Sequence, residues 1–211
     1  MAPPTINRLP LFPLDTVLFP GGLLPLQIFE VRYLHMIGAC QRDGSVFGVV
    51  ALQQGTEVQR PGAESIEAFQ SLGTLARIVD FVQTAPGLMQ IRCIGEQRFR
   101  IQRQEKLAGG LWVADVTSIA PDPFMPIPDD LAGVAGKLGE LIRILQARRV
   151  PAEQMPLAPP YELEDCAWVA NRWSELLPLD TALRQDLLAQ ESPLLRLELI
   201  SDFLDRTELP F

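Results

Sequence analysis

The chain has 211 residues, of which 47% are hydrophobic and 21% charged, and its formal net charge is -8. This composition supports a buried core and excludes intrinsic disorder, and the length fits one or two domains. The acidic balance, with only two lysines (Lys106 and Lys137), makes nucleic acid and anionic membranes poor partners. Three dispersed cysteines form no disulfide framework, and no run approaches the roughly 18 apolar residues of a membrane helix, so we expect a cytoplasmic protein.

The first 120 residues are predicted to form mostly strands. Residues 9–19 are apolar but include Pro10 and Pro13, which restrict them to an edge or irregular strand. The Pro-Gly-Gly turn at 20–22 separates them from a second short strand at 23–29. Tyr33, Ile37 and Cys40 then recur at helical spacing, which predicts a helix over 30–42. The apolar run 45–52 predicts a strand covered on both faces.

Residues 53–70 are polar and contain glycine, and they predict a long loop of the kind that is often functional or mobile. Strands are predicted next at 72–84, 88–94, 97–106 and 111–119, with 88–94 and 97–106 forming a hairpin. In the second of these, Phe99 and Ile101 alternate with Arg98, Arg100 and Gln102, which predicts one dry and one wet face.

Four prolines between 121 and 128 predict an extended linker, 121–129, between an N-terminal domain (1–120) and a C-terminal domain (130–211). Beyond it, apolar residues recur at steps of three and four and predict helices at about 131–145, 163–177, 180–188 and 192–204. Asp180 and Ser192 are predicted helix caps. The apolar faces of these helices need one another, so we expect a small helical bundle.

Motifs that carry catalysis are missing. The nearest match to a phosphate-binding loop, 133–138, has the wrong spacing and no hydroxyl, and Gly133, Gly136 and Gly139 there instead predict close approach of a neighbouring helix. His35 is the only histidine, which leaves no triad or multi-histidine metal site.

The carboxylates Glu162, Glu164 and Asp165 are compatible with metal or acid–base chemistry, but they open a helix, where negative charge is favourable in itself. No constellation of residues supports a hydrolase, so we expect no catalytic residue, no metal and no cofactor.

Several segments together resemble a known family. Residues 9–21 (LPLFPLDTVLFPG), 24–30 (LPLQIFE) and the pair Arg32-Tyr33 closely resemble the opening of the N-terminal substrate-binding domain of Lon proteases. So do 47–50 (FGVV), 73–79 (GTLARIV) and 95–100 (GEQRFR), in the same order and spacing across roughly the first 120 residues. The resemblance implies an α+β fold, with a PUA-like β-barrel followed by helices. It also implies recognition of unfolded or damaged proteins without catalytic residues, as in stand-alone bacterial Lon-domain proteins that lack the ATPase and the protease.

The signature residues have a structural interpretation. Pro20, Gly21 and Pro25 are predicted to shape a tight chain crossing, and Phe29 and Tyr33 to fill the end of the barrel. Glu30 and Arg32 are predicted to hold the junction between strand and helix.

The leading functional hypothesis is a protein-binding module, an adaptor or sensor for exposed apolar segments. The alternative is a small-molecule or RNA-binding PUA-like protein, because related barrels bind RNA. We expect the apolar linker residues Phe124, Met125 and Ile127 to dock in the seam between the two parts and to present a binding strip there. Arg77 or Arg98 is the expected anchor for a peptide carbonyl or carboxylate.

Overall fold

The computed structural model describes residues 3–55 and 67–206. The chain divides into two compact units, Met1–Pro121 and Asp122–Phe211. The predicted loop 53–70 is shorter than expected at both ends, because 53 and 54 belong to one strand and 68–70 to the next, and residues 56–66 lie outside the described part.

The first unit is a mixed sheet with one helix. Its elements are β1 (Thr5–Leu14), β2 (Leu23–Ile28), α1 (Val31–Asp43), β3 (Phe47–Gln54), β4 (Ala68–Ala85), β5 (Leu88–Lys106) and β6 (Trp112–Ser118). The strand order is β2-β5-β4-β3-β1-β6. Because β5 also pairs with β6, the strands β5, β4, β3, β1 and β6 are joined in a closed series of pairings. β1 and β3 are parallel, and the other pairs are antiparallel.

Residues 9–19 are predicted to form an edge or an irregular strand. The edge position is wrong for β1, since it pairs with both β3 and β6, but its register with β6 is irregular between Ile6 and Leu9. Its prolines fit because the two ladders are offset along the strand. Pro10 pairs with β6 before the β3 ladder begins at Leu11, and Pro13 pairs with β3 after the β6 ladder has ended. Each proline therefore has a neighbour on one side only, and its missing N–H can lie on the other.

The hairpin predicted between 88–94 and 97–106 is also wrong, because both segments belong to β5. The hairpin is formed by β4 and β5, and its turn contains Gly87, which has a φ of 76°. The first half of β5 pairs with β2 and the second half with β6. Gly95 lies between the halves, not in a turn but under the chain crossing at Phe19.

The core of the first unit lies between α1 and the sheet. Tyr33, Ile37 and Cys40 are buried on one face of α1, as the helical spacing predicts. The Tyr33 ring stacks on Phe12 with ring centroids 4.0 Å apart. β3 is buried on both faces from Phe47 to Ala51, which confirms the prediction from its continuous apolar run.

The second unit consists of four helices with two short 3-10 turns. The helices are α2 (Ala132–Ala147), α3 (Cys166–Leu176), α4 (Thr181–Ala189) and α5 (Pro193–Arg206). The predicted helices and caps are confirmed: Asp180 accepts from the Leu183 amide at 2.7 Å, and Ser192 Oγ from the Leu195 amide at 3.3 Å. Trp173 is fully buried and donates Nε1–H to the Val134 carbonyl at 3.1 Å.

A buried arginine joins the elements of this unit. Arg196 donates to the Asp122 carboxylate and to the Asn171 side chain, each at 2.8 Å, and to the Leu187 carbonyl at 3.0 Å. These acceptors compensate for burying its charge, so Arg196 fastens the segment at Asp122 to the helices.

Candidate functional site

The predicted linker residues belong to the second unit. The Met125 amide donates to Asp165 Oδ1 at 3.0 Å, and the Cys166 amide donates to the Met125 carbonyl at 2.9 Å. Asp165 also caps α3 by accepting from the Trp168 amide, which agrees with a structural role for that carboxylate. Met125 and Ile127 are half-buried, whereas Phe124 is 71% exposed.

The two predicted anchors differ in their surroundings. Arg77 is half-exposed and pairs with Glu96 at 2.6 Å. Arg98 is only 5% exposed and lies opposite the buried Thr74, so the predicted wet face of β5 is wrong at this position. Of the two, only Arg77 is available at the surface.

Arg77 lies on one face of the sheet where β2, β5 and β4 run side by side. Leu24, Leu26 and Ile28 of β2 pack on the core, so the alternating residues of that strand point to the opposite side. The register places three rows of side chains there, which we call the outer face: Gln27, Gln90 and Val82; Pro25, Arg92 and Asp80; and Leu23, Ile94 and Arg77.

The outer face combines apolar and paired charged groups. Val82 is exposed, and so is Val79, which lies at an irregularity in the β4–β5 register. The Arg92–Asp80 pair lies in the middle row, and Arg77–Glu96 lies towards one end. Most charges on this face are matched, which leaves apolar and amide groups to contact a partner.

Two exposed apolar residues follow β2 directly. Phe29 is 51% exposed and Val31 is 66% exposed. The prediction that Phe29 helps to fill the end of the barrel is wrong, because β2 ends at Ile28 and the turn into α1 directs Tyr33 inward instead. Strand alternation with Leu24, Leu26 and Ile28 buried could have revealed Phe29 as an outward residue.

β2 pairs only with β5 in the described part of the sheet. Pro25 has no amide hydrogen, so the outer edge of β2 lacks a donor at its centre. β2 is therefore a poor template for an added strand, and a partner is expected to contact this surface through side chains.

A buried polar cluster lies elsewhere in the first unit. The Glu67 carboxylate accepts from Arg32 Nη1 at 3.3 Å, Lys106 Nζ at 2.9 Å and Trp112 Nε1 at 2.7 Å. Arg32 Nε also donates to Glu30 at 3.1 Å, which confirms that this pair holds the strand–helix junction. Sequence reasoning missed Glu67 because its three donors come from distant parts of the chain.

Nucleophilic and metal chemistry finds little support in residues 3–55 and 67–206. They contain no group of three His, Cys, Asp or Glu side chains suited to a metal ion. Burial raises the pKa of all three cysteines, that of Cys93 to about 12, so their thiolates are disfavoured.

The second unit has an apolar groove of about 430 Å³. It is lined by Ala135, Gly136, Gly139, Ile142, Arg143, Gln146, Tyr161 and Leu163. Leu163 Cδ1 would lie 3.1 Å from a Cβ at Gly139, but a Cβ at Gly133 or Gly136 would meet no atom within 4 Å. The predicted close helix approach is therefore wrong for Gly133 and Gly136.

Within the described ranges, none of the helices is long and apolar enough to cross a bilayer.

Known proteins resemble this chain over most of its length. Residues 8–206 match the model of the ATP-dependent protease La (LON) substrate-binding domain. A Lon N-terminal domain protein from Xanthomonas campestris, solved as a crystal structure, is 32% identical, with a TM-score of 0.71 over 94% of this chain and 99% of that one. This likeness and the six-stranded mixed sheet with five helices confirm the α+β fold.

Full-length Lon proteases are also similar. Lon protease 2 of Myxococcus xanthus is 37% identical over 109 residues, which are 48% of this chain and 13% of that protein. The Lon protease of Elusimicrobium minutum (strain Pei191) is 26% identical over 214 residues, 95% of this chain and 24% of that protein. The chain thus spans a quarter or less of these two relatives.

Proposed function

Because this chain belongs to the Lon substrate-binding domain family, we propose that it is a non-catalytic module that binds unfolded or damaged polypeptides as an adaptor or sensor. The observation that carries the proposal is the exposure of Phe29 and Val31 beside the outer face. A half-exposed aromatic ring beside other exposed apolar residues is a typical anchor for a protein partner.

The outer face suits an extended apolar segment. Phe29, Val31 and Val82 supply apolar contact area, while Gln27 and Gln90 can hydrogen-bond to a peptide backbone. Arg77 stays at the rim, where its pair with Glu96 can exchange for a partner's carbonyl or carboxylate. Phe124 is proposed as a further contact on the second unit, with Met125 and Ile127 supporting it through the backbone bonds at Asp165 and Glu164.

The proposal is tested by titrating a permanently unfolded, fluorescently labelled model protein into the purified chain. The exposed half of a phenylalanine side chain is about 100 Å², which is about 2 kcal/mol of apolar burial and more than tenfold in Kd. The double variant Phe29→Ser, Val31→Ser is therefore expected to bind at least about tenfold more weakly.

The matched control is Leu195→Ser, Leu199→Ser on α5, which removes two leucines of comparable exposure far along the sequence. We expect this variant, once its folding is verified by circular dichroism, to retain wild-type affinity. Equal affinities for all three proteins would contradict the proposed site, and tighter binding of single-stranded RNA than of the unfolded protein would favour the alternative function.

The non-catalytic part has its own test. ATP hydrolysis or casein cleavage by the purified chain, abolished by a point mutation in it, would show that the module is an enzyme. We expect neither activity, because the described residues hold no group of side chains suited to a metal ion and their three cysteines are buried.

A further inference from the structure

Donors from three separate elements converge on the Glu67 carboxylate. Arg32 lies in the first turn of α1, Lys106 ends β5 and Trp112 begins β6. Their donor nitrogens lie between 2.7 and 3.3 Å from the carboxylate oxygens. The side chains of Glu67 and Arg32 are only 2% and 5% exposed, whereas that of Lys106 is 34% exposed, so the charge-assisted bonds lie in a site that is buried at Arg32 and open to solvent at Lys106.

The site contains a hydrogen-bond donor that the Glu67 carboxylate does not accept from. Arg32 donates Nε to Glu30 and Nη1 to both Glu67 and the Gly110 carbonyl. Its Nη2 is buried and has no hydrogen-bond partner among residues 3–55 and 67–206. A buried N–H without an acceptor is unfavourable, so an acceptor placed against Nη2 would be stabilised there.

Glu67 is attached differently from its donors. It directly precedes β4 and lies outside the β3–β4 and β4–β5 ladders, whereas all three donors lie within a helix or strand. Its side chain can therefore leave by rotation while the donors keep their positions. Without it, Arg32 keeps its pair with Glu30 while Lys106 loses its pair with Glu67, so the described residues of the cluster carry an excess of one positive charge.

Aromatic rings border the donors. Arg32 Cζ lies 4.4 Å from the Tyr33 ring centroid, and Lys106 Nζ lies 5.4 Å from that of Trp112. Phe69 packs edge-on against Trp112 with centroids 5.3 Å apart. Cationic donors beside apolar rings suit a carboxylate attached to an apolar residue, such as the C-terminus of a peptide.

We propose that Arg32, Lys106 and Trp112 form a recognition site for a carboxylate of a bound polypeptide, and that Glu67 is the internal ligand with which this carboxylate competes. The polypeptide source of the carboxylate rests on the proposed function, whereas the carboxylate site itself does not.

The first experiment replaces the internal ligand with a free one. Glu67→Ala in the full chain is expected to lower Tm, and sodium acetate at about ten times its Kd is expected to restore roughly 4 °C relative to sodium chloride at equal ionic strength. Wild type is not expected to distinguish acetate from chloride. The matched control is Asp205→Ala, which removes a carboxylate from the exposed pair with Lys137 and should show no acetate response.

A second variant and a direct signal keep this test decisive. Glu67→Gln preserves the volume of the side chain and serves if Glu67→Ala does not fold. In either variant, acetate should shift the indole N–H resonance of Trp112, assigned with Trp112→Phe, because that group donates to the carboxylate. If acetate acts no differently from chloride in both variants, the proposal is overturned whatever the chain's function is.

The second experiment identifies the source of the carboxylate. A short apolar peptide with a free C-terminus, its C-terminal amide, and the amide carrying an internal Asp are titrated into wild type and Glu67→Gln. The free acid or the Asp peptide, but not the plain amide, is expected to bind Glu67→Gln about tenfold more tightly than wild type.

The outcomes separate this proposal from the proposed function. If the acid and amide peptides gain affinity equally in Glu67→Gln, the site does not recognise a carboxylate and the carboxylate proposal is overturned. If acetate restores Tm but neither acidic peptide binds Glu67→Gln more tightly than wild type, the carboxylate does not come from a polypeptide. Failure of the Phe29 and Val31 variant to weaken binding would instead count against the proposed function alone.

Discussion

Replacing Gly95 by alanine should test the chain crossing at the centre of the first unit. A Cβ at Gly95 would lie 2.1 Å from the Phe19 carbonyl oxygen and 3.1 Å from Leu18 Cγ. Backbone bonds flank this point, from the Gly21 amide to the Gly95 carbonyl (2.8 Å) and from the Gly95 amide to the Gly22 carbonyl (2.9 Å). The methyl group cannot fit unless β5 and the turn after Phe19 separate.

The magnitude follows from this geometry. Real Cβ atoms essentially never come within 3.0 Å of another atom, so the separation required is about 1 Å. Overpacking of this kind costs about 1–3 kcal/mol, and two weakened backbone hydrogen bonds add about 1 kcal/mol each. We therefore expect Gly95→Ala to lower the free energy of unfolding by about 3–5 kcal/mol, a large part of the 5–15 kcal/mol typical of folded proteins.

Urea unfolding followed by far-UV circular dichroism measures this change. With a slope of about 2 kcal/mol per molar urea, the midpoint should fall by about 2 M. Gly109→Ala is the matched control, since a Cβ there meets no atom within 4 Å and the residue lies in an exposed turn. The reasoning is refuted if the two variants unfold within about 0.5 kcal/mol of each other.

Three further predictions concern other parts of the chain. Gly133→Ala and Gly136→Ala should each stabilise α2 by about 1 kcal/mol in thermal or urea unfolding, because alanine favours the helix and both positions face open space. A loss of stability would mean that these glycines are needed for packing. Arg196→Ala should lower the free energy of unfolding by about 3–5 kcal/mol in urea, because it removes the buried charge-assisted bonds to Asp122 and Asn171 and the bond to the Leu187 carbonyl. A loss below about 1 kcal/mol would show that the network is dispensable. Because burial raises the pKa of Cys93 to about 12, its contribution to stability should be full below pH 9.0 and be lost as pH rises towards 12. A thiol reagent at pH 8 should therefore label Cys93 only after unfolding, and rapid native labelling would contradict its burial.

Features that depend on local periodicity could be predicted from the amino-acid sequence. The buried face of α1, the doubly covered strand β3 and the helices of the second unit all follow from spacings of 3.6 or from continuous apolar runs. Caps such as Asp180 and Ser192 also follow, because they act within a few residues. The family was recognisable for a related reason, since the resemblance rests on short local segments such as residues 9–21 and 95–100, which meet at the crossing of Phe19 and Gly95.

Some residues have neighbours from distant segments of the chain, and the burial and contacts of these residues follow only from the tertiary structure. Phe29 and Tyr33 are both aromatic, but the end of β2 and the start of α1 expose one and bury the other. Arg98 belongs to an alternating strand yet is buried, because β5 changes partners from β2 to β6 along its length. Glu67 meets its donors across 35 to 45 residues of sequence. No local sequence pattern predicts these contacts, because they depend on strand pairing that is complete only when the whole sheet has formed.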